Sequence, residues 1–260
     1  MPMIDAGGFQ INVKVEGPES APALMLSNSI AADLSMWDPQ AAEFAKRFRL
    51  IRYDRRGHGK SGVPKAPYTM EAMGRDVLAV LDSLRVKTIT WCGLSMGGMV
   101  GQWLGANAPE RIDNLVLCNT HYYYADKQPW DDRIKAATEK GMAALAAPFM
   151  ERWFTKEFRD ANPQAIAKMK AVFAATPVEG FVGCCAAGRD MDHRELLGRI
   201  KAPTLVIAGR HDMATPLGAN EEICARIPGA SIAVLDAAHI SNLAQPQAFT
   251  RTVLEFLDGR

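Results

Sequence analysis

At 260 residues, 48% of them hydrophobic and 23% charged, the chain has the composition of a globular protein with apolar material for one large core and a small subdomain, which excludes disorder. Thirty Lys and Arg against 29 Asp and Glu leave a formal charge of +1, so no global field draws the chain to nucleic acid or anionic lipid, and a small molecule is the expected partner. The opening stretch MPMIDAGGFQINVKV lacks a basic region followed by an apolar core, and no apolar run approaches membrane-spanning length; a soluble, cytoplasmic protein without a membrane partner is expected.

Short runs rich in β-branched and other apolar residues read as strands, with stretches of helical period between several of them. In chain order, FQINVKV (9–15), ALMLS (23–27) and RLIRYD (49–54) precede a helical pattern at TMEAMGRDVLAVLDSL (69–84). TITWCG (88–93) leads into a second helix at 95–107, and NLVLCN (114–119) follows. Between about 121 and 199 no strand run occurs, while DDRIKAATEKGMAALAAPFMERWF and PQAIAKMKAVFAA have helical patterns. Strands resume at TLVIAG (204–209) and SIAVLD (231–236), with helices at GANEEICARI (218–227) and PQAFTRTVLEFLD (246–258).

This alternation predicts an α/β fold with a mainly parallel, doubly wound sheet, most of its strands buried on both faces. The expected organisation is a core built from residues 1–120 and 200–260, with a helical cap at 121–199. Such a cap should lie over the sheet's C-terminal edge, where open α/β sheets bind ligands.

Five cysteines (Cys92, Cys118, Cys184, Cys185, Cys224) form no C-x-x-C pair and no even-numbered framework, so buried thiols are expected rather than disulfides or a metal site. DRRGHGKSG (54–62) ends like a phosphate-binding loop, but Asp54 stands where that motif needs its first glycine. A glycine-rich turn is the better reading.

GLSMG (93–97) fits G-x-S-x-G and sits where a strand run meets a helix. Ser95 is there either a nucleophile on a sharp strand-to-helix turn or a helix-capping serine, and the motif alone does not decide. What decides is an acid and a base in the order Ser, Asp, His, at the ends of later strands. Asp212 follows TLVIAG within RHDMATP, and His239 follows SIAVLD within AAHISNLAQP. His58, His121, His193 and His211 do not follow the final strand; NLVLCNT ends in the uncharged Asn119 and Thr120; Asp236, the rival acid, reads as the end of a strand.

Each type has a reason. A serine hydroxyl is a poor nucleophile at neutral pH, so His239 must take its proton while Asp212 fixes the imidazole tautomer and stabilises its charged form. The tetrahedral oxyanion needs fixed donors. The expected ones are the backbone N–H of Met96, directly after the nucleophile at a helix N-terminus, and that of Ile30 in the loop LSNSIAADLSMW.

With the elbow, the acid, the base and YDRRGHGKSG, the chain resembles the α/β-hydrolase superfamily over nearly its whole length. SNSIAADLSMWDPQ, WCGLSMGGMVGQWLGANAPERIDNLVLCNT, ERWFTKEFR and GCCAAGRDMDHR are similar to the 3-oxoadipate enol-lactonase branch. Many relatives have His-Gly where this chain has Asn28-Ser29, and that swap is itself similar to the enol-lactonases and places the donor at Ile30. The resemblance implies hydrolysis of a small lactone bearing a free carboxylate, in the β-ketoadipate pathway of aromatic catabolism, with no metal or organic cofactor. A carboxylate would want a cation, and Arg133 in the expected cap is the candidate, with Trp130 and Trp153 as apolar walls. A solvated helix face for Arg133 and a packed interior for the tryptophans are competing readings. THYYYADKQPW (120–130) is more aromatic than that branch leads one to expect. A general carboxylesterase or perhydrolase on the same scaffold, or a small-molecule receptor with a vestigial triad, are the alternatives.

Overall fold

The computed structural model describes residues 2–259. The chain runs β1 (Met3–Asp5), β2 (Gln10–Glu16), β3 (Ala23–Ser27), α1 (Asp38–Phe44), β4 (Arg49–Tyr53), α2 (Met70–Ser83), β5 (Ile89–Leu94), α3 (Met96–Asn107) and β6 (Ile112–Cys118). Four helices follow, α4 (Gln128–Trp153), α5 (Lys156–Ala161), α6 (Pro163–Ala174) and α7 (Val178–Asp190). It closes with β7 (Thr204–Gly209), α8 (Leu217–Arg226), β8 (Ser231–Leu235), α9 (Ser241–Ala244) and α10 (Pro246–Asp258).

The strands form one sheet in the order β1-β2-β4-β3-β5-β6-β7-β8. From β4 to β8 every pairing is parallel, while β1 and β2 are antiparallel additions at one edge. The mainly parallel α/β sheet expected from the alternating pattern is therefore present. β5 and β7 are buried at every position, because apolar runs such as ITWCGL and TLVIAG are covered on both faces. β8 departs from that pattern: it is the outer strand, and Ile232 and Val234 remain partly exposed there. β1 went unpredicted because three residues are too few to show a period.

Register places the site. Ser27 pairs with Gly93, Leu94 with Cys118, Cys118 with Ile207, and Gly209 with Leu235. The C-terminal ends of β3, β5, β6, β7 and β8 therefore lie along one edge, and the loops leaving them are neighbours however far apart they are in sequence.

The region between β6 and β7 is built of helices, packed around Phe149, Trp153, Phe173 and Phe181, with one isolated antiparallel bridge between Tyr123 and Asp192. The continuous helix expected over 131–154 is broken: Gly141 has φ 73° and ψ 168°, which ends one helical run and redirects the next. The end of α4 returns to the sheet edge, where the Ile240 N–H donates to Trp153 O at 3.1 Å. Among the described residues no single helix is long and apolar enough to cross a membrane, and no cluster of three or more His, Cys, Asp or Glu could hold a metal ion. All five cysteines are free.

Candidate active site

Ser95 joins β5 to α3 with φ 57° and ψ −114°, a region an L-residue enters only under constraint. The constraint comes from its own backbone: its N–H donates to Cys118 O at 2.8 Å, and its carbonyl accepts from Thr120 Oγ1 at 2.7 Å and from Met99 N–H at 3.1 Å. The turn is tight enough to demand glycine on both sides. A Cβ at Gly93 would stand 2.2 Å from Gly97 O, and one at Gly97 would stand 2.3 Å from Ser27 O. The capping reading of Ser95 fails, because its side chain makes no capping hydrogen bond and Oγ has no protein partner among the described residues.

His239 and Asp212 meet across the next strand ends, His239 Nδ1 lying 2.8 Å from Asp212 Oδ2. Both are almost enclosed, at 2% and 5% exposure. Asp212 is also held by Ala214 N–H and Thr215 N–H on Oδ1 (2.8 and 2.9 Å), and by Thr215 Oγ1 and Asn119 Nδ2 on Oδ2 (2.6 and 3.0 Å). Burial alone would raise its pKa; the His239 charge and the hydrogen bonds from His239 and Thr215 outweigh it and hold the carboxyl below its ordinary value. An ionised Asp212 can only accept, so the imidazole proton sits on Nδ1 and leaves Nε2 with its lone pair. Asp236, the rival acid, instead pairs at 2.8 Å with the exposed His211.

The loop after β3 is fixed from several sides. Asn28 O accepts from Gly97 N–H at 3.1 Å and from Arg55 Nη2, and Asn28 Nδ2 donates to Tyr53 O at 3.1 Å. Ala31, at φ 52°, donates its N–H to His58 Nε2 at 2.9 Å, and His58 Nδ1 donates to Arg56 O at 3.1 Å. Burial and then the Arg55 charge push the His58 pKa down to about 3, so the ring is neutral and can accept from Ala31. The N–H groups of Ile30 and Met96 donate to no protein acceptor among the described residues. Two buried donors with no partner, on loops joined through Asn28 O, can serve an anion.

Sequence reasoning missed two residues in this framework. Asn119, uncharged and so no candidate acid, is fully buried at φ 44° and gives Nδ2 to Asp212 Oδ2 and, at 3.3 Å, to Ala238 O, while Oδ1 accepts from Ser241 Oγ at 2.6 Å. One amide thus ties the ends of β6, β7 and β8 together. His58 does not follow the final strand, which is where the sequence points to a base; its available signal is its place in the turn that leaves β4, the neighbour of β3. The surrounding turn is fastened by Asp54, which accepts from Asn12 Nδ2, Leu34 N–H and Lys60 N–H.

The helical region supplies an aromatic wall. Trp153 lies 6.4 Å from the His239 ring, Phe149 lies 5.6 Å from Trp153, and the Arg133 guanidinium carbon lies 5.6 Å from Phe149 and 4.6 Å from Trp130. Trp130 and Trp153 are both buried, as packed interior side chains would be, and Trp153 also faces the imidazole. Tyr124, from the unexpectedly aromatic stretch, stands edge-on to Trp130 at 5.1 Å. Arg133 is half-buried, stacked on both rings, and has neither a hydrogen bond nor an ion pair among the described residues.

A family model described as alpha/beta hydrolase fold matches residues 22–246. The chain is 40% identical over 250 residues to 3-oxoadipate enol-lactonase 2 of Acinetobacter baylyi, covering 96% of this chain and 94% of that one. Its structure is similar to that of the enol-lactonase from Burkholderia xenovorans, with TM-score 0.97, 41% identity and coverage of 99% and 100% of the two chains. A thermophilic esterase from Thermogutta terrifontis is similar at TM-score 0.92 and 26% identity, covering 99% and 98%.

Proposed function

The chain belongs to the α/β-hydrolase family, and from that premise we propose that it is a carboxylic ester hydrolase that opens a small acidic lactone, of the 3-oxoadipate enol-lactone kind, through an acyl-enzyme on Ser95. The observation that carries the reading is the pairing of a strained, unbonded serine at the end of β5 with a histidine whose Nδ1 is held by a buried carboxylate.

Ser95 Oγ attacks the lactone carbonyl as His239 Nε2 takes its proton, and Asp212 stabilises the imidazolium. The N–H groups of Met96 and Ile30 receive the oxyanion; each such donor contributes on the order of 100- to 1,000-fold in rate. Collapse breaks the ring C–O bond, and the imidazolium returns its proton to the leaving enol oxygen. The enol becomes a ketone, still tethered through the acyl group to Ser95. Water then attacks the acyl carbon with His239 as base, Oγ is reprotonated, and a 3-oxo diacid leaves. The helices at 121–199 act as a cap over this chemistry, with Trp130 and Trp153 as apolar walls and Arg133 as the cation for the substrate's free carboxylate.

Similarity to enol-lactonases along nearly the whole chain supports the lactone over a simple ester. The test compares turnover of 3-oxoadipate enol-lactone with that of p-nitrophenyl acetate, in the wild type and in Ser95→Ala. The lactone should be the better substrate by kcat/KM, and Ser95→Ala should lose on the order of a million-fold in kcat on both. A variant retaining most of its turnover removes the serine mechanism; a preference for the neutral ester removes the lactone.

A further inference from the structure

The break at Gly141 sets the two halves of α4 against each other as the sides of a groove of about 400 Å³. Its lining includes Arg133 and Lys140 from the first half, Leu145, Phe149 and Arg152 from the second, and a single carboxylate, Asp132. Asp132 is already engaged, accepting from Gln128 Nε2 at 2.9 Å. The three cations are not: among the described residues none of them has a hydrogen bond or an ion pair.

That is unusual within this region. Every other arginine between residues 121 and 199 is bonded: Arg159 to Glu151 O and Phe154 O, Arg189 to Asp131 and Asp190, Arg194 to Asp192, and Arg199 to Ala106 O. The two that are not share one groove. Burial, and then the charge of Arg152, press the Arg133 guanidinium below its ordinary range, so the two repel across it. A carboxylate bound between them would relieve that repulsion, and two planar guanidiniums are suited to grip it. Phe149 and Leu145 offer a short apolar body a surface to lie on, and Phe149 packs on Trp153, whose ring lies 6.4 Å from that of His239.

We propose that the groove between the halves of α4 is a binding site for small carboxylates, in which Arg152 and Lys140, with Arg133 on its floor, collect an acidic substrate and pass it inward along the Phe149–Trp153 wall. The assignment rests on the acidic-lactone reading of the Ser95 site for its purpose, but the binding itself can be tested without turnover.

Two measurements do so. In the inert Ser95→Ala protein, titration calorimetry with adipate as probe should show binding that weakens about tenfold in the added presence of Arg152→Gln and recovers in part with Arg152→Lys. In active protein, Arg152→Gln and Lys140→Gln should each lower the ratio of kcat/KM for the acidic lactone to kcat/KM for p-nitrophenyl acetate, chiefly through KM, and flatten the fall of that ratio with added salt. The site is overturned if Ser95→Ala binds no adipate, if Arg152→Gln leaves adipate affinity intact, or if the ratio and its salt dependence do not move. Loss of lactone turnover by wild type with adipate binding still sensitive to Arg152 would refute the lactone reading and leave the groove standing.

Discussion

The sheet edge and the helical region between β6 and β7 are held by different forces. At the sheet edge the acid is held by a dense set of directional bonds: Asp212 alone accepts from His239, Asn119, Ala214 and twice from Thr215. In the helical region the interior is a cluster of aromatic rings, and the two arginines lining its groove have neither a hydrogen bond nor an ion pair among the described residues. Hydrogen bonds are directional and fix atoms to tenths of an ångström, whereas ring packing fixes shape and tolerates sliding. The difference matches the two roles proposed above: reaction geometry would rest on the directional network, and recognition of an acid on charge held in an apolar setting.

The sharpest way to break the sheet-edge side is Asp212→Asn. The amide no longer dictates an Nδ1 proton on His239, so the imidazole loses the tautomer in which Nε2 can act as base. A drop in kcat of about 10⁴-fold with little change in KM is expected for p-nitrophenyl acetate hydrolysis. A loss of under tenfold would mean that Asp212 does not orient the base. Next in size is Asn119→Ala, which removes the donor to Asp212 Oδ2 and to Ala238 O and leaves Ser241 Oγ without its acceptor. Asn119 touches no reacting atom, so it acts as a positioning residue; an expected loss of about 100-fold in kcat at nearly constant KM reflects displacement of the pair. If Asn119→Ala lowers only the melting temperature, the amide is structural.

These residues also mark what could be read from the sequence. β3 and β7 occupy the predicted spans 23–27 and 204–209, because each is a dense apolar run preceded within two residues by proline, at Pro22 and Pro203. The juxtaposition of Asp212 and His239 was legible for the same reason: both follow such runs, and parallel topology brings strand ends together. Asn119 and His58 were not legible as positioning groups, because their partners lie 93 and 27 residues away and their bonds depend on side-chain direction. Nor was the break in α4, since a lone glycine inside a helical pattern carries the same letter whether its φ is negative or positive. That Arg133 and Arg152 make no hydrogen bond or ion pair among the described residues is likewise a tertiary fact.

The smallest expected effect concerns pH and distinguishes the two regions by what acid does to each. His58 fastens the loop carrying Ile30 through Ala31 N–H, while His193 fastens the helical region to α3, its Nδ1 lying 3.0 Å from Gln102 Oε1. Burial lowers both pKa values, to about 3 and about 4. In the unfolded chain both titrate near pH 6.5, so below that pH the unfolded state binds a proton the folded state refuses. The stability each neutral ring permits is complete above pH 6.5 and is lost as the pH falls towards the folded value, at up to about 1.4 kcal/mol per pH unit. Between pH 6.5 and 5 each histidine, half-protonated in the unfolded chain at the upper end, should therefore take about 1.6 kcal/mol from the unfolding free energy, measured by urea denaturation. His58→Gln keeps an acceptor for Ala31 N–H but cannot titrate, so its slope with pH should be shallower than that of the wild type by that amount. Protonating His58 also removes the lone pair that holds Ala31, whereas in His193 only the contact with Gln102 is at stake. A His58→Gln slope equal to wild type would show that the ring takes up protons in the folded protein as it does in the unfolded chain, and the loop after β3 would need another account of how it is held.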